Sequence, residues 1–388
     1  MRKDSPDFRE VAHAGGKITF NYIIDDEGRR KFSVRFEGSK PNTFRLWTLY
    51  ALPQGIAVGS VTVGGVGVPW NPPPHPSCIP VMMPSDSEGY FGHQCPVCKK
   101  YWRSPGGWAQ LPLSCAYCGY ADEQHRFLTD AQQKFIESYC YVVLSGAERE
   151  QSSVTMDMDA VADACGKESE KPPFYYAEES QQSLLQCTAC GSLSDILGVF
   201  GYCCVCATRN NFSHFLSVAE EVRARISSLK NYENCVRDIV SAFDSIAGDL
   251  LRELVRRIPM IKKRKEKFLR FRLHNLETVA KEVLECFGID LLFGMPSKDV
   301  EDAKVFFHRR HLYEHKGGEV DEKYIQDSGD FSVRLKQVLR ETVESSHRSV
   351  SLITTLMSNF NDGFHEIFPP LDEPVAYENE RKRRLKQT

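Results

Sequence analysis

The chain has 388 residues, 41% hydrophobic and 26% charged, an ordinary balance for a globular protein with room for two or three domains. Its net charge of −3 excludes a polycation, so any contact with nucleic acid has to use a local basic patch. Fourteen cysteines, a charged start (MRKDSPDFRE) without an apolar leader, and no apolar run of membrane-spanning length point to a cytoplasmic protein with no membrane partner. In that setting the cysteines serve as metal ligands rather than disulfides.

Residues 17–38 read as a β-hairpin. Ile18, Phe20, Tyr22 and Ile24 alternate on one arm, Phe32, Val34 and Phe36 on the other, and DDEG with Gly28 lies between. The Val- and Gly-rich 56–70 predicts a further strand pair or bulged edge, and the prolines of 71–80 exclude helix and central strand. Residues 1–90 are therefore expected to form a small β-rich domain. Residues 123–146 predict one connecting helix, with Phe127, Ala131, Phe135 and Tyr139 at helical spacing. The polar 147–182, with its double proline, reads as a linker.

Two cysteine quartets punctuate this region. Cys95 and Cys98 are followed, after sixteen intervening residues, by Cys115 and Cys118. Cys187 and Cys190 are followed, after twelve intervening residues, by Cys203, Cys204 and Cys206, of which Cys203 and Cys206 have the CxxC spacing. Each CxxC turns tightly and aims two thiolates at one point, so two of them supply the four sulfurs of a tetrahedral Zn²⁺. The spacing predicts two structural zinc ribbons, at 91–122 and 183–210, with no open coordination position for a catalytic water. Redox dithiols and an iron–sulfur cluster are the rival readings. KKYWRSPGGW (99–108) mixes cations with aromatics, which suits either packing over a small metal core or stacking on nucleic acid.

From 211 to 370 the pattern turns helical. Val236, Ile239, Phe243, Ile246, Leu250 and Leu254 step by three and four. So do Leu276, Val279, Val283 and Cys286; Leu335, Leu339 and Val343; and Val350, Ile353, Met357 and Phe360. A helical bundle follows, and the basic 371–388 is expected to fray. The fold class is thus α+β and multidomain. Residues 256–272 hold nine Lys or Arg and one Glu. Lys262, Lys263, Arg264 and Lys265 at their centre are either an RNA-facing patch or a solvated helix face.

FFHRRHLYEHKGGEVDEKY (306–324) crowds Arg and His behind two phenylalanines. A helix from near Lys298 is expected to end at Arg310, with His315 following before the Gly317–Gly318 stop, where the helix dipole favours cations. Arg209 and His214 share the Arg310–His315 separation, but there the surroundings point to a helix cap. Arg310, His311, His315, Gly318, Asp321 and Tyr324, with the helical stripes of about 230–365, resemble the HEPN superfamily of helical domains, whose motif is Arg, a polar residue, a few positions, then His. Many relatives place Asn after the His, where this chain has Lys316. The resemblance implies a metal-independent endoribonuclease, built across a homodimer, of the kind found in bacterial toxins and antiviral defence. It makes His315 the acid/base, Arg310 the phosphate clamp and His311 a helper. The N-terminal domain and ribbons would then meet a trigger or protein partner. A non-catalytic, dimeric, nucleic-acid-binding or adaptor protein is the alternative.

Overall fold

The computed structural model describes residues 9–11, 17–24, 26–27, 30–37, 45–61, 71–86, 88–106, 112–148, 152–157, 178–229, 231–271, 273 and 275–387. Residues 62–70, most of the 147–182 stretch (with Cys165), Gly28 and the 107–108 end of KKYWRSPGGW lie outside them. The chain divides into two compact units. One is Met1–Thr208 together with Leu371–Thr388; the other is Arg209–Pro370. The protein is thus mixed α/β, with strands in its N-terminal half and helices in its C-terminal half.

In the first unit the expected hairpin is β2 (Lys17–Ile24) and β3 (Arg30–Glu37), in register from Lys17↔Glu37 to Ile24↔Arg30. A short strand β1 (Arg9–Val11) precedes it. Strands β4 (Leu46–Ala51), β5 (Ala57–Ser60) and β6 (Ile79–Pro84) form a second sheet in the order β5-β4-β6. Helix α1 (Asp130–Glu148) closes the core. Its Phe135, Ile136, Tyr139 and Val143 pack with Ile18, Phe20, Leu49 and Val81, all buried. The helix read as a connector is therefore a wall of the β domain. It also starts later than expected, because Thr129 and Gln132 exchange hydrogen bonds as a capping box after a separate 3₁₀ turn at Gln124–Phe127. Gly55, at φ +84°, lies so close to α1 that a Cβ would stand 2.5 Å from the Glu137 Cα; only glycine allows that approach. Part of the expected linker, Ser153–Asp157, is strand β11, paired with β2.

Strands β7 (Phe91–Gln94) and β8 (Tyr101–Ser104) flank the first CxxC; β9 (Leu113–Ser114) and β10 (Ala121–Asp122) flank the second. Strand β12 (Glu178–Ser180) pairs with β1. Strands β13 (Ser183–Gln186) and β14 (Leu193–Ile196) flank the third CxxC. The two ribbons share one sheet, ordered β13-β14-β8-β7 and joined at Arg103↔Asp195.

The second unit packs α2 (Asn211–Leu229), α3 (Tyr232–Arg257) and α8 (Val343–Ile367) against one another, with α6 (Ser297–His315) on α3. Three short helices complete it: α4 (Lys262–Leu269), α5 (Leu276–Phe287) and α7 (Glu322–Ser328). The stripes of α3 and α8 are buried as expected, and Phe243 meets Phe307 edge-to-face with centroids 5.6 Å apart. The stripe read at 335–343 is not a helix. Lys336 sits at φ +65°, Leu335 and Val343 are exposed, and a Thr342–Ser345 capping box starts α8 only at Val343. Nor do the final residues fray. They form α9 (Asp372–Gln387), and its Val375, with Leu371 just before it, packs on the cysteine-rich core that the two ribbons share.

Candidate metal centres and the Arg310–His315 cluster

All four CxxC turns are built alike. In the first, Cys95 N–H donates to the Lys100 carbonyl and Lys99 N–H donates back to the Cys95 carbonyl. The pairs Cys115/Tyr120 with Gly119/Cys115, Cys187/Ser192 with Gly191/Cys187, and Cys203/Thr208 with Ala207/Cys203 repeat this at 2.8–3.0 Å. The residue after each second cysteine is left-handed: Lys99 at φ 59°, Gly119 at 67°, Gly191 at 73°, Ala207 at 63°. Two glycines take this shape freely. Lys99 and Ala207 are held in it at a cost of about 1–2 kcal/mol each, which shows how strongly the turn is determined.

These turns bring Cys95, Cys98, Cys115 and Cys118 together, and likewise Cys187, Cys190, Cys203 and Cys206. Within each group the sulfurs lie within 4.8 Å of one another, and either group could hold a metal ion. Short separations cross from one turn to the other. Cys95 is 3.6 Å from Cys118 and Cys98 3.6 Å from Cys115; Cys187 is 3.6 Å from Cys206 and Cys190 3.5 Å from Cys203. A tetrahedron with metal–sulfur bonds of about 2.3 Å has edges of about 3.8 Å, so each group fits one ion. Disulfides need sulfurs about 2.05 Å apart. Backbone N–H groups of Val97, Cys98, Tyr117, Val205 and Cys206 point at the sulfurs of Cys95, Cys115 and Cys203 at 3.4–3.5 Å, a placement that stabilises thiolates. The electrostatics say the same. Hydrogen bonding with Cys115 holds Cys118 down to about 5, and the same bond pushes Cys115 far up. Cys190 is held low by Cys187 while Cys203 is pushed high by it. Four sulfurs this close cannot all ionise unless a cation joins them.

Cys204 stands outside the second group. Its carbonyl accepts from Ser114 N–H at 2.8 Å, and Ser194 Oγ lies 3.1 Å from its sulfur, which burial pushes up to about 11. It helps join the two ribbons. KKYWR is likewise structural at its centre. Trp102 is fully buried, and Arg103, 2% exposed, pairs with Asp86 at 2.6 Å and Asp195 at 2.6 Å. Only Lys99 and Lys100 of that run face solvent, with Lys100 Nζ 5.0 Å above the Tyr117 ring.

In the second unit α6 runs on through Arg310 to His315. Its end is wrapped by N–H groups of Lys316 and Gly318 donating to the Leu312 carbonyl at 2.9 and 3.0 Å. Gly317 and Gly318, at φ 61° and 84°, make the turn. Because helical positions four apart share a face, Arg310 and Glu314 pair at 3.0 Å, and the His311 and His315 rings come within 4.8 Å centroid to centroid. The same Glu314 oxygen lies 3.9 Å from His315 Nε2. Arg310 Nε donates to Ser241 Oγ on α3 at 3.1 Å. His315 is 56% exposed, and partial burial lowers His311 from the usual imidazole range, with the nearby Lys316 and Arg310 adding to it.

No protein-family model, curated protein or solved structure matches the chain.

The neighbouring Arg309 points the other way. It is 17% exposed, and it donates to Asp330 at 2.9 Å, Glu341 at 3.1 Å and the Tyr324 hydroxyl at 3.3 Å. Tyr324, expected as part of the motif, thus serves this buried network, and Asp321 caps α7 through Tyr324 N–H. Lys262, Lys263, Arg264 and Lys265 lie on the exposed α4, where Lys262 approaches Glu266 at 4.0 Å and Arg264 donates to Cys286 Sγ at 3.1 Å. Arg209 is buried against Asp249 at 2.6 Å, in keeping with its reading as a structural residue. Glu314 and Ser241 were missed. Glu314 is visible as the i+4 partner of Arg310, whereas nothing in the sequence marks Ser241, 69 residues away.

Proposed function

We propose that the chain is a HEPN-type, metal-independent endoribonuclease whose first unit is folded around two structural zinc ions. The observation that carries the nuclease reading is that Arg310 and His315 both approach Glu314, with the His311 ring beside His315, at the end of α6. RNA brings its own nucleophile, the 2′-OH. An imidazole removes its proton as the 2′-O–P bond forms, and an imidazole protonates the departing 5′-oxygen as the P–O5′ bond breaks. Arg310 stabilises the charge on the phosphorane between them. The products are a 2′,3′-cyclic phosphate and a 5′-hydroxyl. Following the resemblance, two such motifs meet across a homodimer, α4 supplies phosphate contacts, and the protein acts as a toxin or antiviral effector in the cytoplasm. Zinc, when bound, saturates four thiolates at each centre and leaves no open position, so its contribution is to folding.

One observation favours a non-catalytic adaptor instead. Arg310 is already engaged within its own chain, by Glu314 and Ser241. Brief incubation of mixed-sequence RNA with the protein in EDTA, beside Arg310→Ala and His315→Ala, separates the two. Cyclic-phosphate ends from the wild type alone support the nuclease. No cutting by any of the three supports the adaptor, and equal cutting by all three places the cleavage outside Arg310 and His315 or in a contaminant.

A further inference from the structure

Resting on the nuclease reading, we infer that Glu314 is a built-in competitor for the scissile phosphate, a carboxylate gate that the RNA backbone has to displace. One oxygen of Glu314 stands 3.0 Å from the Arg310 guanidinium and 3.9 Å from His315 Nε2. It occupies the place between clamp and imidazole that a phosphate oxygen takes in the proposed reaction. Both are anionic acceptors seeking the same N–H edge, so the two occupy Arg310 in turn and never together. The clamp itself does not have to move. Its Nε is fixed by Ser241 on a different helix, which leaves the guanidinium aimed at whichever anion holds the position. Glu314 is 38% exposed, and its side chain can swing to solvent by rotation about its own bonds without disturbing α6. The carboxylate is a positioning group, not a catalytic one. It lowers ground-state affinity for RNA and leaves the assembled transition state untouched.

The consequence is a split in the kinetics. Glu314→Gln keeps the shape and removes the charge. With the competing charge gone from this partly exposed pair (Arg310 18% and Glu314 38% exposed), the variant should bind RNA about three- to fivefold more tightly. KM should fall by the same factor at unchanged kcat. The test uses the full chain with bound metal. The dissociation constant of a 2′-O-methyl RNA oligonucleotide, which lacks the nucleophile, is measured for wild type, Glu314→Gln and Arg310→Ala. The kcat and KM on cleavable RNA are measured beside it. Tighter binding by Glu314→Gln, lost again in the double variant with Arg310→Ala, is the expected result. Unchanged affinity in Glu314→Gln while Arg310→Ala binds more weakly overturns the gate alone. A fall in kcat at unchanged KM overturns it too, and makes Glu314 a partner of His315. Indifference of both binding and cleavage to Arg310→Ala places the fault in the nuclease reading itself, and the gate goes with it.

Discussion

Arg309 and Arg310 are neighbours in sequence with opposite tasks, and replacing each by leucine separates them. Arg309 is the one cation within salt-bridge reach of Glu341, a fully buried carboxylate, among the described residues, and it also holds Asp330. Removing one partner of a buried pair costs about 3–5 kcal/mol, because the other charge stays behind. Glu341 would keep hydrogen bonds from the Tyr313 hydroxyl at 2.5 Å and Ser345 Oγ at 2.6 Å, so the lower end, about 3 kcal/mol, is expected. That is about a hundredfold in the unfolding equilibrium of the helical unit. Arg310→Leu breaks one pair and a hydrogen bond, but the carboxylate left behind, Glu314, is 38% exposed and stays in reach of water, so the loss should be about 1 kcal/mol or less. The four tryptophans, 47, 70, 102 and 108, all lie in the first unit. Ellipticity at 222 nm in urea therefore follows mainly the helical unit, and tryptophan emission follows the other. Arg309→Leu should move the first midpoint far more than Arg310→Leu and leave the second in place. Equal shifts from the two variants would refute the assignment of Arg309 to stability.

Metal analysis should find two zinc ions per chain, and Cys190→Ser should leave about one; a chelator should shift tryptophan emission well before it lowers helicity, as closed four-cysteine geometry requires. Acid should loosen the helical unit. Burial lowers the pKa of His308, His311 and His365 below the ordinary 6.5. The unfolded chain therefore takes up protons first as pH falls through 6.5, and stability that is complete above that value is lost below it. The 222 nm urea midpoint should drop between pH 7.5 and 5.5, with a shallower slope in His365→Gln.

What the sequence made legible was local. CxxC spacing marks thiols that meet because a tight turn brings them together whatever lies around it. The stripes of α3 and α8 appear because a helix repeats its face every few residues. What stayed hidden depends on partners far along the chain. Lys-Lys-Tyr-Trp-Arg looks like a cationic aromatic surface until Asp86 and Asp195 arrive from other parts of the chain and draw Arg103 inside. The pairing of β8 with β14 joins positions 103 and 195, and periodicity carries no trace of it. At Arg309 and Arg310 composition is identical and only the rotation of the helix decides. Leu335, Leu339 and Val343 kept helical spacing by chance, and the turn at Lys336 broke it.

The route of the backbone carries one more implication. The first unit is interrupted: the chain leaves it after Thr208 and re-enters at Leu371, where Leu371 N–H donates to the Cys206 carbonyl at 2.8 Å. The exit and the return are clasped side by side at the last CxxC turn of the second ribbon, so the chain leaves the first unit and re-enters it at neighbouring positions. During synthesis this route sets a schedule. The helices are complete before residues 371–387 exist to cover the second ribbon, and the host is finished after its insertion. A chain stalled between 208 and 371 would carry its cysteines without their lid.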